Sequence, residues 1–238
     1  MCRDKDKLVI RRKVGRWSVY DYTACAHPDL TKYIARMDKI LPRARNNSFL
    51  LDRESWYSIT PVALANSITE AVLSKFQTPV RVLDLFAGVG GNTISFLKYE
   101  NSVDSVEIDY AKVRCLRHNV KMCTSADKHT VHHMDVFCPE TLKKLRPSYE
   151  VLMASPPWGG ICYKKCSDVE LFRSCKVLEI EDIYASVAST RIYMLPRNLC
   201  NRVFALLGKP YLVFPGASFN GKTVAKILVV GDTSSFFL

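Results

Sequence analysis

The feature that most constrains this chain is an alternation that begins at Val80. Val80–Leu85 is a short apolar, β-branched run. The turn Asp84-Leu85-Phe86-Ala87-Gly88-Val89-Gly90-Gly91-Asn92 follows directly, and Asn92–Lys98 has helical spacing. The order then repeats with Val103–Ile108 as strand, Ala111–Met122 as helix, and Thr130–His133, Val151–Ala154 and Ile192–Leu195 as further strands. Short apolar runs bounded by turn residues read as buried strands, and the 3.6-residue periods between them as helices. Repeated strand–helix units give a mainly parallel sheet with helices on both faces. Asn198–Leu207 reads as a helix. Tyr211–Phe214 and Val224–Val230 close the chain as strands around Asn220-Gly221, a strong hairpin signal. The expectation is an α/β, Rossmann-like, mainly parallel seven-stranded sheet with a C-terminal antiparallel hairpin.

Upstream the pattern is different. Residues 1–24 are basic, with scattered aromatics and weak periodicity. Pro28–Leu41 reads as a helix with Leu30, Tyr33, Ile34, Met37, Ile40 and Leu41 on one face, and residues 42–50 are polar. Thr60-Pro61 predicts a helix start, with Thr60 as N-cap and Pro61 in the first position, running to about Phe76. The division expected is a basic N-terminal helical cap over 1–54 and a core over 55–238. The first fifty residues carry twelve Lys/Arg against five Asp/Glu, which is +7 of the formal +11. A basic segment beside a site points to a polyanion, nucleic acid first.

Several classes are set aside by composition. With 48% hydrophobic residues the chain can bury a core, yet it has no 18-residue apolar run, so no membrane span is expected. The opening Met1–Lys7 has no signal-peptide apolar region. Nine cysteines include no C-x-x-C pair and match neither a zinc site nor a disulfide ladder. They read as mostly buried thiols in a reducing compartment. His129, His132 and His133 cluster near the third strand without matching acids or thiols, and are taken as packing or surface residues. No metal is expected.

The turn after the first strand resembles a dinucleotide fingerprint, but Gly88-x-Gly90-x-x-Thr93 lacks the third glycine. Asp84 at the strand's end would repel a pyrophosphate and suits a cationic, amine-bearing ligand. Glu107 and Asp109 end the second strand, where a carboxylate can hold ribose hydroxyls. Asp135, after the third, is placed to accept from an adenine amine. This ordered trio specifies S-adenosylmethionine rather than NAD, with Phe86, Gly88, Gly90 and Asn92 of the turn as further candidate contacts.

Ser155-Pro156-Pro157-Trp158-Gly159-Gly160 follows the fourth strand. Two prolines hold the backbone extended, so carbonyls point outward instead of closing a helix. Trp158 offers a flat face for a base, and Gly159 lets another ring approach. Such a strip can hold a planar exocyclic amine.

The combination of Leu51-Asp52-Arg53-Glu54-Ser55-Trp56-Tyr57-Ser58-Ile59-Thr60-Pro61, Gly88-Val89-Gly90-Gly91-Asn92-Thr93-Ile94, Ser155-Pro156-Pro157-Trp158-Gly159-Gly160 and Leu195-Pro196-Arg197-Asn198 resembles the trimethylguanosine synthase family, the RNA cap guanine-N2 methyltransferases. The similarity spans about Pro28 to Asp232. It implies a class I S-adenosylmethionine-dependent methyltransferase core under a small N-terminal helical cap. Its implied substrate is an RNA already carrying an N7-methylguanosine cap, of small nuclear or nucleolar type. The resemblance further implies that Thr60, Asp84, Gly88, Glu107, Asp109, Asp135 and Val136 contact the cofactor. Trp158 would stack on the methylated base, with Ser155 and Pro156 near N2 and Gly159 beside it. Lys32, Tyr163, Arg197 and Lys222, with Asn198 next to Arg197, would hold the triphosphate bridge. A monomer in the nucleus or nucleolus, with the cytoplasm second, completes the expectation. The chain departs from the family at Ile161, usually Pro, and over Lys164–Val187, which bears on whether one or two methyl groups are added.

Two rivals remain at this point. One is an amino-methyltransferase acting on an internal guanine or adenine, which must take a base out of a stack. The other is a cap-binding module without catalysis. An NAD oxidoreductase fits poorly, because no hydride-site His or Tyr presents itself.

Overall fold

The computed structural model describes residues 10–14, 17–21, 36–45, 49–52, 54–159, 166–217 and 221–237. Lys32, Tyr163 and Asn220, most of the Pro28–Leu41 helix and Ile161 lie outside them. A hairpin of β1 (Ile10–Val14) and β2 (Trp17–Asp21) precedes the core, where the sequence shows only weak periodicity. Of the expected cap helix, the described part is the single turn Met37–Ile40.

The core is a seven-stranded sheet. Its strands are β3 (Arg81–Leu85), β4 (Ser102–Glu107), β5 (His129–His133), β6 (Tyr149–Ala154), β7 (Ala188–Pro196), β8 (Tyr211–Ala217) and β9 (Thr223–Gly231). The spatial order is β5-β4-β3-β6-β7-β9-β8. The first five strands pair in parallel, and β9 lies antiparallel to both β7 and β8. The expected architecture and its single antiparallel strand are present. Winding runs outward from β3 to β5 and then restarts at β6 on the other side of β3. That reversal leaves a crevice at the carboxyl ends of β3 and β6, where connections diverge.

Alternate residues of each strand feed two cores. Val82, Val151, Met153, Ile192 and Met194 pack under the helices Val62–Phe76, Gly91–Lys98 and Tyr110–Cys123, together with Phe49, Leu51 and Trp56. Leu83, Leu85, Leu152, Tyr193 and Leu195 face the helices Asp168–Ser174 and Val177–Tyr184. Trp158 packs against both cores at the edge of the sheet.

Some expectations need correction. The helix after Thr60-Pro61 begins at Val62 and ends at Phe76, and its N-cap is Pro61. Thr60 does not cap it, because its hydroxyl turns toward Met194 Sδ at 3.6 Å. Asn198–Leu207 is shorter than expected, a 3-10 helix over Asn201–Leu207. The thiols are not mostly buried: of the six described, Cys115 and Cys175 are, Cys123 and Cys138 are half-buried, and Cys166 and Cys200 are exposed.

The described part of the divergent stretch forms two helices, Asp168–Ser174 and Val177–Tyr184, that are not among the elements expected from the sequence. Ser167 and Glu170 form a capping box at the start of the first. Glu181 on the second ties it to β7: the carboxylate receives Arg191 bidentately at 2.7 and 3.0 Å, the Tyr193 hydroxyl at 2.6 Å and Lys209 at 3.0 Å.

Candidate active site

The glycine turn is built on backbone conformations that few residues adopt. Phe86 has φ of +58°, Gly88 +56° and Gly90 +100°. A Cβ on Gly90 would lie 2.7 Å from Leu116 Cδ1, and one on Gly91 3.2 Å from the Thr60 backbone. The turn therefore presses against both the Tyr110–Cys123 helix and the segment entering from the N-terminal part. Glu107 holds its open side, where one oxygen accepts from Gly88 N at 2.8 Å and the other from Asp109 N at 2.8 Å. Asp109 caps the Tyr110–Cys123 helix by accepting from Ala111 N at 2.7 Å.

Asp84 lies beneath this turn, fully buried. Thr93 donates to its Oδ2 at 2.5 Å, and Oδ1 has no protein partner. Burial pushes its carboxyl up to about 7, with Glu107 adding to the rise and Thr93 opposing it. Behind Thr93 the hydrogen bonds continue to Ser105 Oγ at 3.0 Å and from there to His129 Nε2 at 2.9 Å. Burial holds His129 neutral, its pKa lowered to about 4. With Thr93 donating to Asp84, the chain runs one way: imidazole N–H to Ser105, Ser105 to Thr93, Thr93 to carboxylate. His129 is thus a packing residue, as expected, and also the origin of this chain.

Across the crevice, Asn92 Nδ2 donates to Ser155 Oγ at 3.4 Å, which joins the glycine turn to the strip after β6. Asn92 Oδ1 is a second buried oxygen without a protein partner. Two unsatisfied buried acceptors beside a turn where a Cβ on Gly88 would meet only the Phe86 carbonyl, at 4.0 Å, fit a ligand that brings donors and positive charge. The trio of acids meets the same edge at different depths. Asp135, exposed after β5, accepts from Phe137 N at 2.9 Å, and Val136 next to it is buried. Ile108 and Tyr110 stand 60% exposed beside Asp109, an apolar wall that the acid-based reading did not anticipate.

Trp158 is not a free-standing platform. Its indole N–H donates to the Met194 carbonyl at 3.2 Å, so the ring is fixed by the same residue that Thr60 touches. Arg197, just past β7, donates to the Thr223 carbonyl at 3.2 Å. Antiparallel pairing of Pro196 with Ala225 brings Arg197, Asn198 and Lys222 to one exposed corner of that edge.

The Leu-Asp-Arg-Glu block has a structural role too. Asp52 and Glu54 reach Lys112 at 3.5 and 2.5 Å. Burial lowers the affinity of that ammonium for its proton, but Asp52, Glu54 and Asp109 together hold its pKa above the ordinary value. The block thus clamps residues 49–58 onto the helix that Asp109 starts. Nothing in the spacing signalled Lys112.

The sequence pattern of the family described as RNA cap guanine-N2 methyltransferase matches residues 80–211. The trimethylguanosine synthase of Schizosaccharomyces pombe is 38% identical over 173 residues, which cover 68% of this chain and 70% of that protein. This chain belongs to the RNA cap guanine-N2 methyltransferase family. The trimethylguanosine synthase of Saccharomyces cerevisiae is 26% identical, with 71% of this chain and 55% of that protein covered. The N-terminal domain of human METTL16, solved with SAH, superposes with a TM-score of 0.53 at 13% identity over 71% of this chain and 68% of that one. The human methyltransferase 10 domain containing protein does so at 0.52 and 16% over 71% and 79%. At such identities these two solved structures speak for the methyltransferase fold alone.

As a family member the chain is an S-adenosylmethionine-dependent enzyme that methylates the exocyclic N2 of an RNA cap guanosine. The internal-base and non-catalytic readings fall behind it. Among the described residues no helix is long and apolar enough to cross a membrane.

Proposed function

We propose that the crevice between β3 and β6 is a two-ligand site that methylates N2 of an N7-methylguanosine cap, and that the residues around it divide as follows. Asp84, Asn92 and the Gly88–Gly90 turn receive the amino-acid end of S-adenosylmethionine, with Thr60 and Phe86 behind it. Glu107 and Asp109 take the ribose, while Asp135 and Val136 take the adenine. Ser155 borders both ligands. Trp158 and Gly159 hold the base, and Arg197, Asn198 and Lys222, with Lys32 and Tyr163, hold the triphosphate bridge. The observation that carries this reading is the Asn92–Ser155 contact, which sets the cofactor turn and the amine-holding strip edge to edge.

The bound cofactor supplies an electrophilic methyl group on a sulfonium. Guanine N2 is a weak nucleophile, since its lone pair is delocalised into the ring. The chain's task is to align N2 with that methyl and to hold acceptors against its N–H bonds as positive charge develops. Ser155 Oγ and the carbonyls of Ser155 and Pro156 are those acceptors. Transfer forms the N2–carbon bond as the sulfur–carbon bond breaks, and one N2 proton then leaves to solvent. Asp84 is not assigned as the base for that proton, since Thr93 occupies its Oδ2 and its open Oδ1 is the oxygen given to the cofactor's amino group. N7 methylation makes the base cationic, and a cation over Trp158 gains roughly 0.5–2 kcal/mol.

The family resemblance also supports capped RNAs of small nuclear and nucleolar type as substrates, a monomeric enzyme and a nuclear or nucleolar site of action. The test is mass spectrometry of the products formed from S-adenosylmethionine with N7-methylated and unmethylated cap dinucleotides. Gain of one or two methyl groups on the N7-methylated cap only is expected. Equal transfer to both would refute the base-holding role given to Trp158.

A further inference from the structure

The helix Tyr110–Cys123 starts at the cofactor edge and contains no acidic residue. Its outward face carries Arg114, Arg117 and Lys121, all exposed. At 100° per residue these positions fall within one narrow stripe, and at about 1.5 Å per residue the stripe is roughly 10 Å long. Like charges three and four residues apart weaken a helix, so the stripe opposes folding unless something outside compensates. No carboxylate among the described residues forms an ion pair with any of the three. Lys112 on the same helix differs, being enclosed by Asp52, Glu54 and Asp109. At the far end Arg45 donates to the carbonyls of Lys121 and Thr124. Burial pushes the Cys123 thiol up to about 11, Lys98 and Arg45 oppose that rise from beside it, and both, being exposed, extend the positive strip past the helix.

We infer that this stripe is the docking surface for the phosphate backbone of the RNA beyond the cap. The partner is a polyanion of regular spacing, and the chain's activity already requires one attached to its substrate. A stripe of cations along a helix axis tracks such a backbone without reading sequence. The inference rests on the cap-methyltransferase reading, and the cap dinucleotide, which has no backbone beyond the cap, separates the two.

The experiment compares the dinucleotide with a capped oligouridine long enough to span the helix, over a range of salt concentration. The enzymes are wild type, a triple variant Arg114→Gln/Arg117→Gln/Lys121→Gln, and a charge-keeping control Arg114→Lys/Arg117→Lys/Lys121→Arg. Expected for the Gln variant are unchanged kinetics on the dinucleotide and a KM for the oligouridine raised about tenfold or more. Its salt slope should fall by about 2, since each phosphate contact to a single strand contributes roughly 0.7. The control should behave as wild type on both substrates. An unchanged oligouridine KM and slope in the Gln variant would overturn the inference, as would equal loss on the dinucleotide or equal loss in the control.

Discussion

Thr93 donates to Asp84 across 2.5 Å in the interior, where both residues are fully buried. It is the last link of a chain that starts at His129 on β5, so the carboxylate under the glycine turn is oriented from two strands away. A donor aimed at a buried carboxylate contributes about 1–3 kcal/mol. Thr93→Val keeps the shape and removes the donor. Affinity for S-adenosylhomocysteine, read by calorimetry, should fall about tenfold or more, while KM for the cap dinucleotide stays near wild type. Thr93→Ser should restore it.

The same carboxyl gives the free protein a pH signature. Asp84 titrates near 7 in the folded state against 3.8 in the unfolded chain. Between those values the folded state holds a proton that the unfolded state has lost. The contribution of this group therefore declines as pH rises from about 4 to 7 and is level above that. His129 works the other way, costing stability as pH falls from 6.5 toward 4. Comparing Asp84→Asn with wild type cancels that second effect. The variant's melting temperature relative to wild type should rise from pH 5 to pH 8, while its cofactor binding is lost at both.

Trp158, the proposed platform for the base, is also part of the scaffold. Stacking on a base is worth about 1–3 kcal/mol, so Trp158→Ala should raise KM for the N7-methylated cap by roughly ten- to a hundredfold. Because the ring also packs on both cores and donates to Met194, the variant should melt lower as well. Trp158→Phe keeps a stacking face, and should recover most of the KM while the Met194 carbonyl stays unpaired.

Glu181 predicts a purely structural loss. Glu181→Gln leaves the Arg191 guanidinium, 5% exposed, without its carboxylate. Breaking a buried pair in this way costs about 3–5 kcal/mol, about 10 °C in the thermal midpoint for a chain of this size. Cofactor affinity below the new midpoint should be unchanged.

Most core strands were legible because they are apolar runs followed closely by an acid, a glycine or a proline; β5, His129–His133, holds a single apolar residue and was placed by its position in the alternation. The crevice was legible for the same reason, since motif order alone fixes which strand ends lie on one edge. The β1–β2 hairpin was not, because its sequence mixes Arg, Lys and aromatics without a two-residue alternation of apolar and polar positions. Of the two helices of the divergent stretch, the first carries a sequence signal in Ser167-x-x-Glu170, and the second, which follows Lys176 without a side-chain cap, carries none of that kind. Among site residues, Met194 and Lys112 could not be found in advance. One acts through its main-chain carbonyl and sulfur, the other chiefly through Asp52 and Glu54, more than fifty residues away, with Asp109 nearby at 3.9 Å. Thr60 fits the pattern of a cap, whereas the hydroxyl's partner is Met194 on β7, 134 residues along the chain.

The measurement that bears most directly on the account is a crystal structure with S-adenosylhomocysteine and an N7-methylated cap dinucleotide bound together. The account predicts the guanine ring against Trp158, its N2 within hydrogen-bonding distance of Ser155 Oγ or the Ser155 and Pro156 carbonyls, and the cofactor's amino group at Asp84 or Asn92. A base seated away from Trp158, or a cofactor whose amine leaves both buried oxygens empty, would contradict it.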